Sequence, residues 1–383
     1  MGKAGQSPFL PALLLTAALA GLALLAGCGA DVAPRPDYRL GAPLAEGPEA
    51  LELVAALDAP LGNVAVSADG RIFITYHPLA GPKVKVAEIL PDGTSVPYPD
   101  EAWQSKDDGF QTPQGIVLDS RGRLWVLDHG KNGFGTPALI AFDIATGKLA
   151  HRHNFRRDEA GWGSYLNDLS VDADRGVAYI ADTANFNFNP AIIVYDIGEG
   201  RVRRVLQDHH SVKEEPVDMI VEGEKVTLFG VMPLRVAVDS IVLSLDGETL
   251  YYGPMSGTTM YRIPTSALLD EDMDDTQLGL EIEAFAPKPL SDGLTIDREG
   301  NLYLTAIEDR AIAVLRPNRE GETLIRDERL VWPDGLSFGP DGWIYVTDSQ
   351  LNRIMFKSKS DVAKTAPHPL YRFKALSPGL PGR

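Results

Sequence analysis

The chain has 383 residues, of which 44% are hydrophobic, and a formal net charge of −17 at pH 7. Length and apolar content supply ample material for a packed core, while the charge argues against nucleic acid as a partner, because a phosphate backbone calls for a basic face. The 37 glycines and 28 prolines punctuate the chain with turns, as in all-β proteins.

Residues 1–27 read as a signal peptide: Lys3 gives a thin positive start, and Phe9 to Ala26 is largely apolar. The single cysteine, Cys28, closes the tetrad Leu25-Ala26-Gly27-Cys28. This resembles the lipobox of bacterial lipoproteins, in which the cysteine is lipidated and becomes the mature N-terminus. The expectation is an exported protein, held on the periplasmic face of the cell envelope through a lipid on Cys28. Gly29 rather than Asp follows Cys28, which favours the outer membrane. Residues 28–48 are expected to form a flexible tether, 49–375 the folded domain and 376–383 a disordered tail.

Within the folded domain one phrase recurs six times: LGNVAVSADGRIFIT (61–75), PQGIVLDSRGRLWVLD (113–128), LNDLSVDADRGVAYIAD (166–182), VDSIVLSLDGETLYYG (238–253), SDGLTIDREGNLYLTA (291–306) and PDGLSFGPDGWIYVTD (333–348). Each is an apolar strand, a polar turn with a glycine (Gly70, Gly122, Gly176, Gly247, Gly300, Gly342) and a second strand. Further strands follow most hairpins, for example ALIAFDI (138–144), AIIVYDI (191–197), AIAVLRP (311–317) and RIMFKS (353–358). Four antiparallel strands per repeat spell a propeller blade. The fold class predicted is all-β, a six-bladed β-propeller whose last blade is completed by LELVAAL (51–57), which closes the ring and removes its open edges. An insertion, Asp208 to Val238, is expected to contain a hairpin turning at Glu222-Gly223-Glu224, and TSALLDEDMDD (265–275) reads as a short helix.

The innermost strand of a blade lines the central channel. Equivalent positions at the six strand starts are Gly62, Gln114, Asn167, Asp239, Asp292 and Asp334. A ring with three carboxylates and two amides suits a hard cation such as Ca²⁺ or another divalent ion, or else a substrate amine. An Asp before a hairpin strand can equally well serve only to bind backbone amides. Arg235 and Trp332 precede two of these strands and can reach the ligand site; His129 follows a second strand and sits on a loop. Asp292 and Asp334 are the candidate catalytic groups, and neither a phosphate loop nor a nucleophile elbow is present in the sequence.

The phrases RLWVLDHG, AYIADTANFNFNPAIIVYDIGEGRVRRVLQDHHSV, DSIVLSLDGETLYYGPMSGTTMYRIPTSALL and LVWPDGLSFGPDGWIYVTDS resemble the bacterial branch of the major royal jelly/yellow protein family. The resemblance runs over roughly residues 50–360. It implies a propeller of the gluconolactonase/senescence-marker type, and a channel that binds a small polar or aromatic-amine molecule, with or without dopachrome-tautomerase-like turnover. Gluconolactonase-type relatives hold a divalent metal with a Glu, Asn residues and an Asp; Asn167 and Asp292 match, Gly62 stands at the Glu position, and the metal ligands the resemblance implies are Asn167, Asp292 and, as a substitute, Asp239 or Asp334. Three readings stay open: a ligand-binding envelope protein, a divalent-metal-dependent lactonase-like hydrolase, and a non-enzymatic interaction scaffold.

Overall fold

In the computed structural model, residues 41–105 and 109–383 are described. Residues 1–27, expected to be a signal peptide, and Cys28 lie outside them, and among the described residues no helix is long and apolar enough to cross a membrane.

Six four-stranded antiparallel sheets follow one another along the chain as the blades of a propeller. Their inner strands are Leu61–Val66, Pro113–Leu118, Leu166–Asp172, Val238–Leu243, Ser291–Ile296 and Pro333–Phe338, and the last three are buried along their whole length. A strand covered on both faces reads as a continuous apolar run, which is why these segments show little alternation. The hairpin glycines expected to need left-handed backbone have it: φ is 87° at Gly70 and 79° at Gly300.

Closure is as the sequence suggested. Glu52–Leu57 pairs antiparallel with His368–Lys374 and forms the outermost strand of the sixth blade. The third strand of that blade was expected at 353–358, but it is His368–Lys374; Leu351–Ile354 is helical instead. Leu351 and Ile354 are both buried at a spacing of three, a helical period that outweighs the apolar run. The helix expected over 265–275 is two, Thr265–Leu269 and Asp275–Glu281, the second started by a capping box between Asp274 and Gln277.

Two boundaries differ from expectation. The end of the presumed tether is docked, since the Leu44 and Ala45 amides donate to the Thr323 and Leu324 carbonyls of blade five. Residues 376–383, expected to be disordered, cross the end of the channel away from the ring. The Arg298 amide donates to Pro378 O, the Leu118 amide to Gly382 O, and the Phe338 amide to Arg383 O, while Arg383 donates to Val171 O at 2.9 Å. Unpaired strand-end amides supply the reason: a Pro- and Gly-rich segment can lie flat across them and satisfy them.

The insertion forms two small hairpins, Ile220–Val221 with Glu224–Lys225 and Thr227–Leu228 with Met232–Pro233. Val217, Met219 and Val221 pack with Leu290, Ile307, Trp332 and Leu351 in one apolar cluster. At its tip Glu222 accepts from Asn352 Nδ2 at 2.9 Å and pairs with Arg310 and Arg353. The insertion therefore reaches from blades three and four over to blades five and six, on the ring side of the channel.

Candidate functional site

The side chains at the second position of each inner strand converge. Gln114, Asn167, Asp239, Asp292 and Asp334 line one central cavity, together with Asn63 and Asp168 from the third position. A local irregularity aims them inward. In every blade the pairing of inner and second strands skips at this point, between Leu61 and Val64, Pro113 and Ile116, Leu166 and Leu169, Val238 and Ser240, Ser291 and Leu294, and Pro333 and Leu336. A bulge releases backbone groups from the ladder and re-aims side chains.

The released groups are recaptured by threonines of the second strands. Thr305 Oγ1 accepts from the Asp292 and Gly293 amides at 3.1 and 2.8 Å. Thr347 Oγ1 accepts from the Gly335 amide at 2.9 Å and donates to the Gly62 carbonyl of blade one at 2.6 Å. Thr75 likewise joins blade one to the Gln114 carbonyl of blade two at 2.7 Å. These stitches explain the recurring Asp-Gly pair. The Asp faces the channel, and the Gly lets the next blade approach: a Cβ on Gly293 would lie 1.9 Å from Asp334 O, and one on Gly335 would lie 2.6 Å from Asn63 Oδ1. The loops leading into the ring are held by acids that close the second strands. Asp348 accepts from the Val331 and Trp332 amides, Asp128 from those of Gln111 and Thr112, and Asp182 from that of Tyr165.

The ring is covered rather than open. Asp239, Asp334 and Asp292 are 1%, 5% and 9% exposed, and the cavity holds a free volume of about 30 Å³, room for roughly one or two waters. Trp332 Nε1 donates to Asp292 Oδ2 at 2.7 Å. Tyr165 lies close enough to Asp239, Asp334 and Asp292 for their charges to raise its phenol, after burial has done so. His129 stacks on Tyr165 with ring centroids 4.3 Å apart; its Nδ1 accepts from the Asn132 amide, which leaves the proton on Nε2, a buried atom with no partner.

The electrostatics follow from crowding acids out of water. Burial, then repulsion from Asp292 and Asp168, raises Asp239 well above the usual carboxylate range; burial, then Asp292 and Asp239, does the same to Asp334. Burial lifts Asp292 to about 6, with the Trp332 hydrogen bond pulling the other way. Half-buried Asp168 is lifted to about 7, mainly by burial. Asp239 Oδ2 and Gln114 Oε1 are buried acceptors that have no hydrogen-bond partner.

The structure brings together Gln114, Asn167, Asp239, Asp292, Asp334 and Trp332 as the sequence suggested. It does not bring Arg235, which approaches Asp218 of the insertion at 3.9 Å. Asp168, Tyr165, His129 and Lys288 join the site without having been singled out as its members.

A lactonase-type divalent centre does not fit these residues. A Cβ on Gly62 would lie 2.8 Å from Thr75 Oγ1, so the position has no room for the glutamate that such a centre uses. Asp292 already spends one oxygen on Trp332. Among the described residues no three His, Cys, Asp or Glu side chains converge to hold a metal ion. Asn167, Asp239 and Asp292, the set expected for Ca²⁺ or another divalent ion, do line the same cavity.

The family model described as Major royal jelly protein matches residues 111–366. Among curated proteins, Major royal jelly protein 1 of Apis mellifera is 23% identical over 270 residues, which is 65% of this chain and 60% of that protein. The match thus spans less than two thirds of that relative's length. Among solved structures, a gluconolactonase from Xanthomonas campestris superposes with a TM-score of 0.52 at 16% identity, over 85% of this chain and 88% of its own. A calcium-binding protein, regucalcin, from Agrobacterium tumefaciens gives 0.54 at 16% identity, over 86% and 98%. At such identities the two structures speak for the fold alone.

Proposed function

The chain belongs to the major royal jelly protein family, and from that premise we propose that it is an exported, lipid-anchored propeller whose channel holds the cationic group of a small polar or aromatic amine. The observation that carries this is the cluster of Asp168, Asp239, Asp292 and Asp334 in one cavity, with the acceptor oxygens of Asp239 and Gln114 unpartnered. Buried acceptors left unsatisfied cost about 1–3 kcal/mol each, and a donor cation relieves both that cost and the mutual repulsion of the acids. The free volume admits an ammonium head and little more. The part-exposed Tyr165 ring stands next to the acids, and its face suits the aromatic or cationic body of the ligand.

Titration calorimetry of the full chain with tyramine tests the reading. Wild type is expected to bind, and Asp292→Asn and Asp334→Asn each to weaken binding at least about tenfold, the scale of one lost charged hydrogen bond. No binding by wild type, or equal affinity in both variants, refutes it. Calcium chloride in place of tyramine tests the metal alternative with the same variants. For the anchor, Cys28→Ala is expected to move the protein from the membrane fraction to the soluble one; an unchanged distribution removes lipidation from the reading.

Turnover of the dopachrome-tautomerase type has one observation in its favour. Asp168, near 7, can both take and return a proton at neutral pH. Loss of dopachrome conversion in Asp168→Asn, far beyond any weakening of tyramine binding, is the expected result; no conversion by wild type ends this second reading.

A further inference from the structure

Behind the ring lies a lysine with no exposed surface. The stem of Lys288 runs against Gly253, where a Cβ would sit 2.8 Å from Lys288 Cε. Its ammonium donates to the Pro289 carbonyl and to Ser291 Oγ, both at 3.2 Å. Both acceptors are neutral, and a buried ammonium without opposite charge is penalised by several kcal/mol. Gly253 pairs with Ser240, so the stem lies opposite the bulge that carries Asp239, and the Lys288 amide donates to Thr258 O at 2.8 Å, which sets it beside Glu215 of the insertion; these two are the opposite charges it faces. Glu215 is itself fixed, accepting from the Thr258 amide at 3.0 Å and from Thr258 Oγ1 at 2.7 Å. Around Asp239 stand Asp168, Asp292 and Asp334, all of which repel it, and the Tyr165 phenol. Lys288 is the cation that opposes them at Asp239.

We propose that Lys288 is the built-in counter-cation of the ring: a positioning residue that offsets the repulsion on Asp239, loosening its hold on a proton so that it can anchor a ligand's cationic group, and links that charge to Glu215 on the insertion. This deepens the amine-binding reading and rests on it. The geometry gives Lys288 a task that Arg can share and Met cannot. Lys288 uses two of its three donors on Pro289 and Ser291, and it acts on Asp239 through its charge. Burial brings the Lys288 amine down to about 7, so the counter-charge is fullest on the acid side of neutrality, where Asp239 is most exposed to protonation.

The test uses the full chain and two readouts. In ligand-free protein labelled at the Asp carboxyl carbon, the NMR titration midpoint of Asp239 is followed in wild type, Lys288→Met and Lys288→Arg. The midpoint is expected to rise by about one unit in the Met variant and to return toward wild type in the Arg variant, a tenfold change in the proton equilibrium. The acid limb of tyramine affinity against pH is expected to move by the same amount. An unmoved Asp239 midpoint in a folded Lys288→Met protein overturns the proposal. Should that variant fail to fold, Glu215→Gln weakens Lys288 from the other side; a smaller rise supports the proposal and no rise overturns it. If Asp239 moves but wild type binds no tyramine, the amine reading fails while the electrostatic role of Lys288 stands.

Discussion

Replacing Asp292 by Asn is expected to stabilise the ligand-free protein. Burial lifts this carboxyl from 3.8 to about 6, roughly two units, which corresponds to about 3 kcal/mol of folding free energy. Because the folded-state value is raised, the folded protein holds the proton more tightly than the unfolded chain does. The penalty is absent below about pH 4, grows between 4 and 6 and is complete above 6. An Asn mimics the protonated acid, and its Oδ1 can still accept from Trp332 Nε1. Relief of Asp239 and Asp334, both of which Asp292 repels, acts in the same direction. The gain should be about 3 kcal/mol at pH 7.5 and about half that at pH 5. With a urea dependence of about 3 kcal/mol per molar, the midpoint should rise by about 1 M at pH 7.5. Urea unfolding followed by circular dichroism at the two pH values is the assay. No gain at pH 7.5, or a gain that does not shrink at pH 5, would refute the reasoning that the ring is an electrostatic burden kept for its ligand.

Gly293→Ala places a Cβ 1.9 Å from Asp334 O; the blade interface must shift, and a loss of at least about 1–3 kcal/mol is expected by urea unfolding. Gly62→Glu, with Thr75 Oγ1 at 2.8 Å from the new Cβ, should destabilise the fold without creating a calcium site, as measured by unfolding and by metal content. Glu222→Ala releases the contacts to Arg310, Asn352 and Arg353, and hydrogen exchange in residues 217–234 should quicken about tenfold, while exchange in the inner strands stays unchanged. Removing residues 377–383 uncovers the Leu118 and Phe338 amides, and a lower thermal midpoint is expected.

Much of this architecture could be read in advance because one physical rule repeats six times. A buried inner strand, a glycine turn and a second strand recur at each blade, and the ring residues stand at equivalent places in them. The closing strand was legible because Glu52–Leu57 needed a partner and the sixth blade lacked one. What escaped came from outside the repeat. Tyr165 and Lys288 sit on connecting segments whose course depends on neighbours distant in sequence, and His129, though placed on a loop, gave no sign that it would stack on Tyr165. Asp168 was within reach: it occupies the third position, where Gly115, Gly293 and Gly335 stand in other blades, and a carboxylate in place of such glycines was a signal. The bulge that turns both positions inward has no mark in composition. The strand expected at 353–358 failed because an apolar run of that length cannot by itself distinguish strand from helix.

The closing strand also sets an order of events. Glu52 and Arg372, paired across the sixth blade, are 320 residues apart. Blade one therefore cannot be sealed against blade six until nearly the whole chain has left the ribosome. Until then Glu52–Leu57 carries an unmatched edge, and partly built blades present others, the condition in which chains pair with the wrong neighbour. A chain exported before it folds postpones all six blades to a single moment, and the last pairing then completes a circle. Circular permutants bear directly on this: joining Glu52–Leu57 to His368–Lys374 by a hairpin, and opening the chain at a turn between two other blades, converts that latest contact into a local one and should speed folding while leaving the propeller intact.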